Sequence, residues 1–156
     1  MHNEKYIIGY TTTDYLLLDL DNTTFNKVCG LVKIMQKDFK LGDCLISCSS
    51  DKVKKSFIEN CLEKQTQGNY HCIFNNKIGY ERICQIVNIL SDLSILEPDY
   101  KLIREWRGDI TLRVSPDNSK EAFRDIPKPI IILDSFNDNN DDGIQYYLNC
   151  LMVVNA

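Results

Sequence analysis

Short apolar runs separated by polar turns follow one another along the chain, and their spacing switches repeatedly between that of strands and that of helices. Strands are predicted where apolar and polar residues alternate, or where a short apolar run stands between turns, at residues 5–10, 14–20, 44–49, 70–74, 110–115 and 130–133. Helices are predicted after Thr23 or Thr24 and at residues 51–65, 78–93 and 143–154. Because strands and helices alternate, we expect an α/β or α+β fold in a single domain, residues 1–156, with helices flanking one mixed β-sheet.

Size and composition fit an ordinary globular protein. Apolar residues make up 44% and charged residues 26% of the 156 positions, and a chain of this length can bury a substantial core. No apolar run approaches the roughly 20 residues that span a bilayer, and the start of the chain lacks the basic and apolar segments of a secretory signal. We therefore expect a cytoplasmic protein without membrane contact.

The formal net charge of −4 limits the kinds of partner. Extensive non-specific binding of nucleic acid depends on clustered Lys and Arg, and it is disfavoured in an acidic chain. A small basic patch, or a contact made through a metal ion, is compatible with this charge.

Seven cysteines are spread along the chain without a Cys-x-x-Cys pair, and most fall at apolar positions of the predicted helices and strands. The odd count and these positions favour reduced core residues in an intracellular protein. A zinc site is disfavoured, because only His2 and His71 are available as histidine ligands.

An acid pair closes the second predicted strand, in the run Tyr15-Leu16-Leu17-Leu18-Asp19-Leu20-Asp21-Asn22. Residues i and i+2 of a strand lie on the same face, so Asp19 and Asp21 should point the same way. Two carboxylates one strand step apart suit a hard cation such as Mg²⁺ or Mn²⁺, which would also relieve their mutual repulsion. The alternative is an exposed strand end before a helix, where the helix dipole favours acids.

A histidine and a second polar strand follow later in the chain. His71 lies inside the apolar run Tyr70–Phe74, where a neutral imidazole could donate to a phosphate, assist a metal or serve as a hydrogen-bonded core residue. Asp109 and Arg113 share a face if residues 109–113 are extended. Asp109 could then complete a three-carboxylate metal site, and Arg113 offers paired donors to a phosphate. The alternative is an ordinary ion pair on one strand face.

Two other polar segments have simpler interpretations. Arg104, Trp106 and Arg107 could form a stacking surface for nucleic acid, but a solvated turn is favoured. Asp134 and the stretch Asp138–Asp142 follow an apolar run that resembles a buried strand, and Asn-rich and Asp-rich segments favour turns on conformational grounds alone. We interpret that stretch as a solvated loop.

The order of these motifs resembles that of the archaeo-eukaryotic primase and primase-polymerase superfamily. Its members typically carry an Asp-x-Asp strand, then a small-residue-x-His strand, then a further acid near a basic strand. The corresponding segments here are Leu18–Asp21, Asn69–Phe74 and Arg107–Val114, within residues 15–116. One departure is Asn69, which stands where the family usually has Ser or Gly.

This resemblance implies a palm of the RRM-like type with a divalent-metal site. It implies Asp19, Asp21 and Asp109 as catalytic ligands of Mg²⁺ or Mn²⁺, and His71 and Arg113 as nucleotide-binding residues. The implied activity is a nucleotidyl transfer that makes or extends a primer from nucleoside triphosphates on a single-stranded DNA or RNA template. It also implies work in replication, with a replication-protein partner.

A second resemblance competes for the same acid pair. Asp19-Leu20-Asp21-Asn22-Thr23 is similar to the first motif of haloacid dehalogenase-like phosphatases, which implies Asp19 as nucleophile and Asp21 as acid and base. Later motifs would fall on Ser47 or Ser49, Lys128 and the run Leu133–Asp138. This match leaves His71, Asp109 and Arg113 without roles.

A third alternative is a non-catalytic accessory protein of replication that binds nucleic acid. The three interpretations predict different geometries. In a primase-like site Asp19, Asp21, His71 and Asp109 converge on one sheet face, whereas in a phosphatase Asp19 lies beside Asp134 and Lys128 at the end of a parallel sheet. The accessory-protein interpretation predicts that Asp19, His71 and Asp109 are not close together.

Overall fold

The computed structural model describes residues 9–49, 68–96, 110–114, 126–137 and 140–155. Within these ranges the chain forms six strands and three helices, which are β1 (Gly9–Thr12), β2 (Tyr15–Thr23), α1 (Phe25–Asp38), β3 (Cys44–Cys48), β4 (Gly68–Lys77), α2 (Tyr80–Asp92), β5 (Ile110–Arg113), β6 (Lys128–Leu133) and α3 (Gly143–Asn155). The fold class is α+β, as expected. The helix predicted at 51–65 lies outside the described residues.

The described strands form two sheets, one of four strands in the order β2-β4-β3-β6 and one made by β1 and β5. Every pairing is antiparallel, which corrects the expectation of a mixed sheet. The reason is that β4 lies between β2 and β3, so the two strands that α1 connects run parallel without touching. These three strands and α1 form a split βαβ arrangement, and β6 adds to the sheet beside β3.

The first strand differs from its predicted position. The polar residues Thr11 and Thr12, predicted as a turn, belong to β1 and pair with Thr111 and Ile110 of β5. The hydroxyls of Thr11 and Thr111 lie 2.7 Å apart. A cross-strand threonine pair of this kind stabilises strand pairing. The turn between β1 and β2 therefore consists of only two residues, Thr13 and Asp14.

Helices α1 and α2 form where the apolar spacing predicts them. Thr24 caps α1 by accepting a hydrogen bond from the Lys27 backbone at 3.4 Å. The buried face of α1 packs on the sheet, and Phe25 lies 6.3 Å from the ring centre of Tyr70 on β4. The apolar face of α2 is buried at the positions that the sequence predicts, which are Ile83, Ile86, Val87 and Leu90.

Both faces of the four-stranded sheet are covered. Leu16, Leu17 and Leu18 are fully buried although consecutive strand residues point to opposite faces. Helix α3 contacts the face opposite α1. Its first residue is Gly143, where a Cβ would lie 2.6 Å from the Tyr15 ring and 2.9 Å from the Phe74 carbonyl oxygen, so a larger residue would not fit there. The core therefore continues on both sides of β2 and β4, the strands that carry the predicted site.

Strand β6 is an edge strand of the described sheet, which corrects the expectation that its apolar run is buried. Ile131 and Ile132 are 39% and 46% exposed. The strand begins at Lys128 and contains Pro129, a residue that sheets tolerate at their edges. Among the described residues, no helix has both the length and the apolar character needed to cross a membrane. The described cysteines carry free thiols, as predicted, and three of them, Cys44, Cys48 and Cys72, are buried.

Candidate active site

The predicted acid and histidine meet directly across the sheet. In the register of the strands Asp19 of β2 lies opposite His71 of β4, and His71 lies opposite Ser47 of β3. Directly opposed residues of antiparallel strands project to the same face. The three side chains therefore form one polar row across a face that is otherwise largely apolar, with Asp19 at the accessible end, 41% exposed.

His71 is the buried centre of this row. It is 2% exposed, its Nδ1 lies 3.0 Å from the Tyr147 hydroxyl, and its Nε2 lies 3.8 Å from Asp19 Oδ1. Burial, and secondarily the charge of Arg113, lower the pKa of His71 to about 3, although Asp21 opposes the shift. The imidazole is therefore neutral at pH 7, and its approach to Asp19 is not an ion pair.

The neighbours of His71 favour one tautomer. A carboxylate oxygen faces Nε2, so the proton is best placed on Nε2, where it points toward the acid. Nδ1 then accepts a hydrogen bond from Tyr147. The hydrogen bond from Tyr147 thus fixes the imidazole at Nδ1, and the N–H at Nε2 points toward Asp19.

Tyr147 is a site residue that the sequence did not reveal. It lies on α3, is fully buried, and packs edge-on against His71 with ring centres 6.1 Å apart. Burial raises the pKa of its hydroxyl, so the group stays protonated and can donate to His71. Ser47 lies near enough to act on Tyr147, yet its buried hydroxyl has no hydrogen-bond partner of normal geometry.

A β-bulge places the second acid. The register of β2 against β4 shifts between Leu20 and Thr23, and Asn22 adopts a left-handed conformation with φ of 53°. The Asn22 backbone N–H donates to the Asn69 side-chain oxygen at 2.9 Å. Bulges often redirect side chains beside functional sites, and here the bulge sets Asp21 at the exposed end of the strand.

Asn69 thus gains a role from the structure. In the sequence Asn69 is only a departure from the primase pattern. In the structure its side-chain oxygen accepts the Asn22 backbone N–H and so stabilises the bulge that contains Asp21. The signal that could have found it is the pair of asparagines, Asn22 and Asn69, each beside a predicted site residue. Asparagine tolerates the left-handed region and readily bonds to nearby backbone.

Arg113 joins the site from the second sheet. It ends β5, which contacts β2, and its charge acts on both His71 and Tyr147. Asp109 stands one residue before β5 and lies outside the described residues. The structure thus brings Asp19, Asp21, His71 and Arg113 together, and within the described ranges no three His, Cys, Asp or Glu side chains form a group able to hold a metal.

A cleft of about 580 Å³ opens beside Asp21. Its floor is apolar, formed by Leu20 and Val28 among others, and its rim carries Asp21, Thr23 and Lys27. A mostly apolar cleft with a few convergent polar groups is typical of small-molecule sites. It lies between β2 and α1, on the face of the sheet opposite to His71, and of the acid pair only Asp21 lines it.

Of the residues in the phosphatase match, Ser47 belongs to the polar row with Asp19, but Lys128 and Asp134 do not lie beside Asp19. Lys128 lies on β6, three strand spacings from β2 in the order β2-β4-β3-β6, which corresponds to about 14 Å. Asp134 follows the opposite end of that strand. The loop after it is held by backbone contacts instead, since Ser135 donates to the Leu41 carbonyl at 2.6 Å.

Comparison with protein-family models, with curated proteins and with solved structures gives no match for this chain.

Proposed function

We propose that this protein is a divalent-metal-dependent nucleotidyltransferase of the primase-polymerase kind, which joins nucleoside triphosphates on a single-stranded template. The observation that carries the proposal is the placement of Asp19 directly opposite His71, with Asp21 and Arg113 close enough to act on the same imidazole. An acid pair and a neutral donor at one edge of the four-stranded sheet, with a guanidinium from the neighbouring sheet, provide complementary groups for a metal-bound triphosphate.

The acid pair suits Mg²⁺ or Mn²⁺. Mg²⁺ is commonly bound by one or two carboxylates together with substrate phosphates rather than by a complete protein cage. Asp19 and Asp21 supply hard oxygen donors at the accessible end of β2, and Asp109 is the third ligand that the family resemblance implies. Such ions, when bound, activate a 3′-hydroxyl and stabilise the leaving pyrophosphate.

His71 and Arg113 would bind the triphosphate and position it next to the acid pair. The Nε2 of His71 faces the Asp19 carboxylate, whose nearest oxygen is 3.8 Å away, and its N–H can donate to a phosphate oxygen placed beside it. Arg113 supplies charge and paired donors for the triphosphate.

The geometry favours this proposal over the phosphatase alternative. A phosphatase would need Lys128 and Asp134 next to Asp19, whereas the antiparallel sheet sets them at its far edge. We also propose an intracellular setting, which is supported by the free thiols of the described cysteines, and a replication-protein partner.

Primer synthesis on single-stranded DNA tests the proposal. Labelled nucleotides and Mn²⁺ are supplied to the wild type, to Asp19→Asn and Asp21→Asn, and to Asp38→Asn as a control acid on α1. We expect products from the wild type and the control only, because the amides keep the shape of the acids but not their charge. Absence of products from every form, with no nucleotide binding by calorimetry, would refute it. Aryl phosphate hydrolysis that depends on Asp19 would favour the phosphatase instead.

A further inference from the structure

A second polar pocket lies at the opposite end of β4 from His71, between the end of α1 and the start of α2. It has a volume of about 580 Å³, and its walls carry Lys40, Lys77 and Arg82 together with Asp141. Lys77 is six residues beyond His71 along the strand, a separation of about 20 Å. The pocket is therefore distinct from the acid pair.

Positive charge dominates this pocket in a protein whose net charge is −4. Three cationic side chains face one carboxylate, and that carboxylate, Asp141, already accepts the Lys77 backbone N–H at 2.7 Å. The Lys77 ammonium lies 3.7 Å from Asp14, but both side chains are well exposed, at 61% and 46%. Such a surface pair holds its members weakly, so Lys77 can turn to another anion.

Arg82 is fixed at the pocket wall. One of its terminal nitrogens donates to the Phe39 carbonyl at the end of α1. A guanidinium carries five N–H donors in a planar fork, so this bond orients the group without using all its donors. The orientation suits paired donation to an anion with several oxygens.

Lys40 reaches the pocket from a strained backbone position. Its φ is 54°, and the following Leu41 N–H donates to the Gln36 carbonyl at 3.2 Å, which closes a Schellman-type helix end. Glycine is the usual residue at this place, and a side chain in the left-handed region is disfavoured. The lysine at this position therefore has a less favourable backbone conformation than a glycine would have, and its side chain adds a cation to the pocket.

We propose that this pocket binds a phosphate group, carried by inorganic phosphate, a nucleotide or a nucleic-acid strand. Lys40 and Lys77 provide point charges, and Arg82 provides the directional donors. The inference does not rest on the proposed nucleotidyl transfer, since no residue of the acid pair takes part in it.

Titration with inorganic phosphate at low ionic strength, followed by amide chemical shifts in NMR, tests the inference. We expect saturable shifts centred on residues 40, 77, 78 and 82. Removing one unit charge about 4 Å from the ligand in a water-like dielectric weakens binding about fivefold. We therefore expect about fivefold loss in Lys40→Gly or Lys77→Gln and about 25-fold loss in the double variant.

Two controls keep the test decisive. Lys33→Gln removes an exposed lysine of α1 outside the pocket and should leave binding unchanged, as should Asp19→Asn, which disables the other site. Lys40→Gly suits its backbone position, so unfolding would not explain its loss of binding. Shifts spread over the whole surface, or equal affinity in the double variant, would overturn the inference.

The source of the phosphate is decided by three further ligands, which are ATP and a short single-stranded oligonucleotide with or without a 5′-phosphate. Each should displace inorganic phosphate from the same amides. The ligand that binds most tightly relative to phosphate identifies the source. If none of the three perturbs these amides while inorganic phosphate does, the source is inorganic phosphate itself.

Discussion

The buried histidine makes the stability of this protein sensitive to mild acid. A histidine in an unfolded chain has a pKa near 6.5, whereas burial and Arg113 lower the pKa of His71 to about 3 in the folded protein. Between these values the unfolded chain binds a proton that the folded protein excludes. Stability is therefore fully present above about pH 6.5 and is lost as the pH falls toward 3.

The size of the effect follows from the same two pKa values. Each pH unit below the unfolded pKa costs about 1.4 kcal/mol, so the free energy of unfolding should fall by about 2 kcal/mol between pH 7 and pH 5. Most carboxyl groups remain ionised in that window, and the chain contains only two histidines. His71 should thus dominate the slope.

Urea unfolding followed by far-UV circular dichroism, in steps from pH 7 to pH 5 with reductant present, measures this slope. A His2→Gln background leaves His71 as the single histidine of the chain. His71→Asn in that background keeps an acceptor for Tyr147 but cannot be protonated, so its slope should be close to flat. A stability that stays constant to within about 0.5 kcal/mol in the parent would refute the lowered pKa of His71. A stability that rises in acid would refute it as well and would make the contact of His71 with Asp19 an ion pair.

Three further outcomes are expected. Tyr147→Phe should cost about 1–3 kcal/mol in urea unfolding, because it leaves a buried ring nitrogen of His71 without its donor; a cost near zero would mean that the bond is not formed. Asn69→Ala should remove the hydrogen-exchange protection of the Asn22 amide while Asn69→Asp retains it, since both Asn and Asp offer an acceptor oxygen; equal exchange in the two variants would contradict this role. Ser94→Gly should raise stability by about 0.5–1 kcal/mol, because Ser94 has φ of 59° at the end of α2; a loss of stability would show that its side chain matters more than its backbone.

Local periodicity predicted the helices well. The apolar positions of α1 and α2 lie on one face each, and burial against a sheet satisfies that pattern regardless of how the strands are ordered. The sequence also placed Asp19 and His71 on strands, whereas the pairing of those two strands is known only from the structure. Both belong to segments whose turns and apolar runs define strands by local signals alone.

Long-range pairing was less predictable. The insertion of β4 between β2 and β3 depends on the packing of the whole sheet, and alternating helices and strands are compatible with either mixed or antiparallel order. The apolar run of β6 was expected to be buried, yet its position at an edge leaves Ile131 and Ile132 exposed. A run of isoleucines has the same pattern in both environments.

The supporting residues of the site were also beyond local inference. Tyr147 lies in an apolar helix 76 residues from His71, and nothing in its own segment marks it as a partner. The role of Asn69 follows from its side-chain oxygen, which accepts the Asn22 backbone N–H at the bulge. The roles of Tyr147 and Asn69 depend on contacts with residues that are distant in the sequence. The acid pair, by contrast, can be recognised from two residues of one strand, Asp19 and Asp21.

Asp19 and Asp21 are the two described ligands of the proposed divalent-metal site, which lies beside His71. Mn²⁺ is paramagnetic and broadens the NMR signals of nearby amides, so titration of Mn²⁺ in the presence of a nucleoside triphosphate locates the ion directly. We expect the amides around Asp19, Asp21 and His71 to broaden first in the wild type and to stay sharp in Asp19→Asn/Asp21→Asn. Broadening that begins elsewhere, for example at Asp141 and Asp142, or that is the same in the double variant, would contradict the claim.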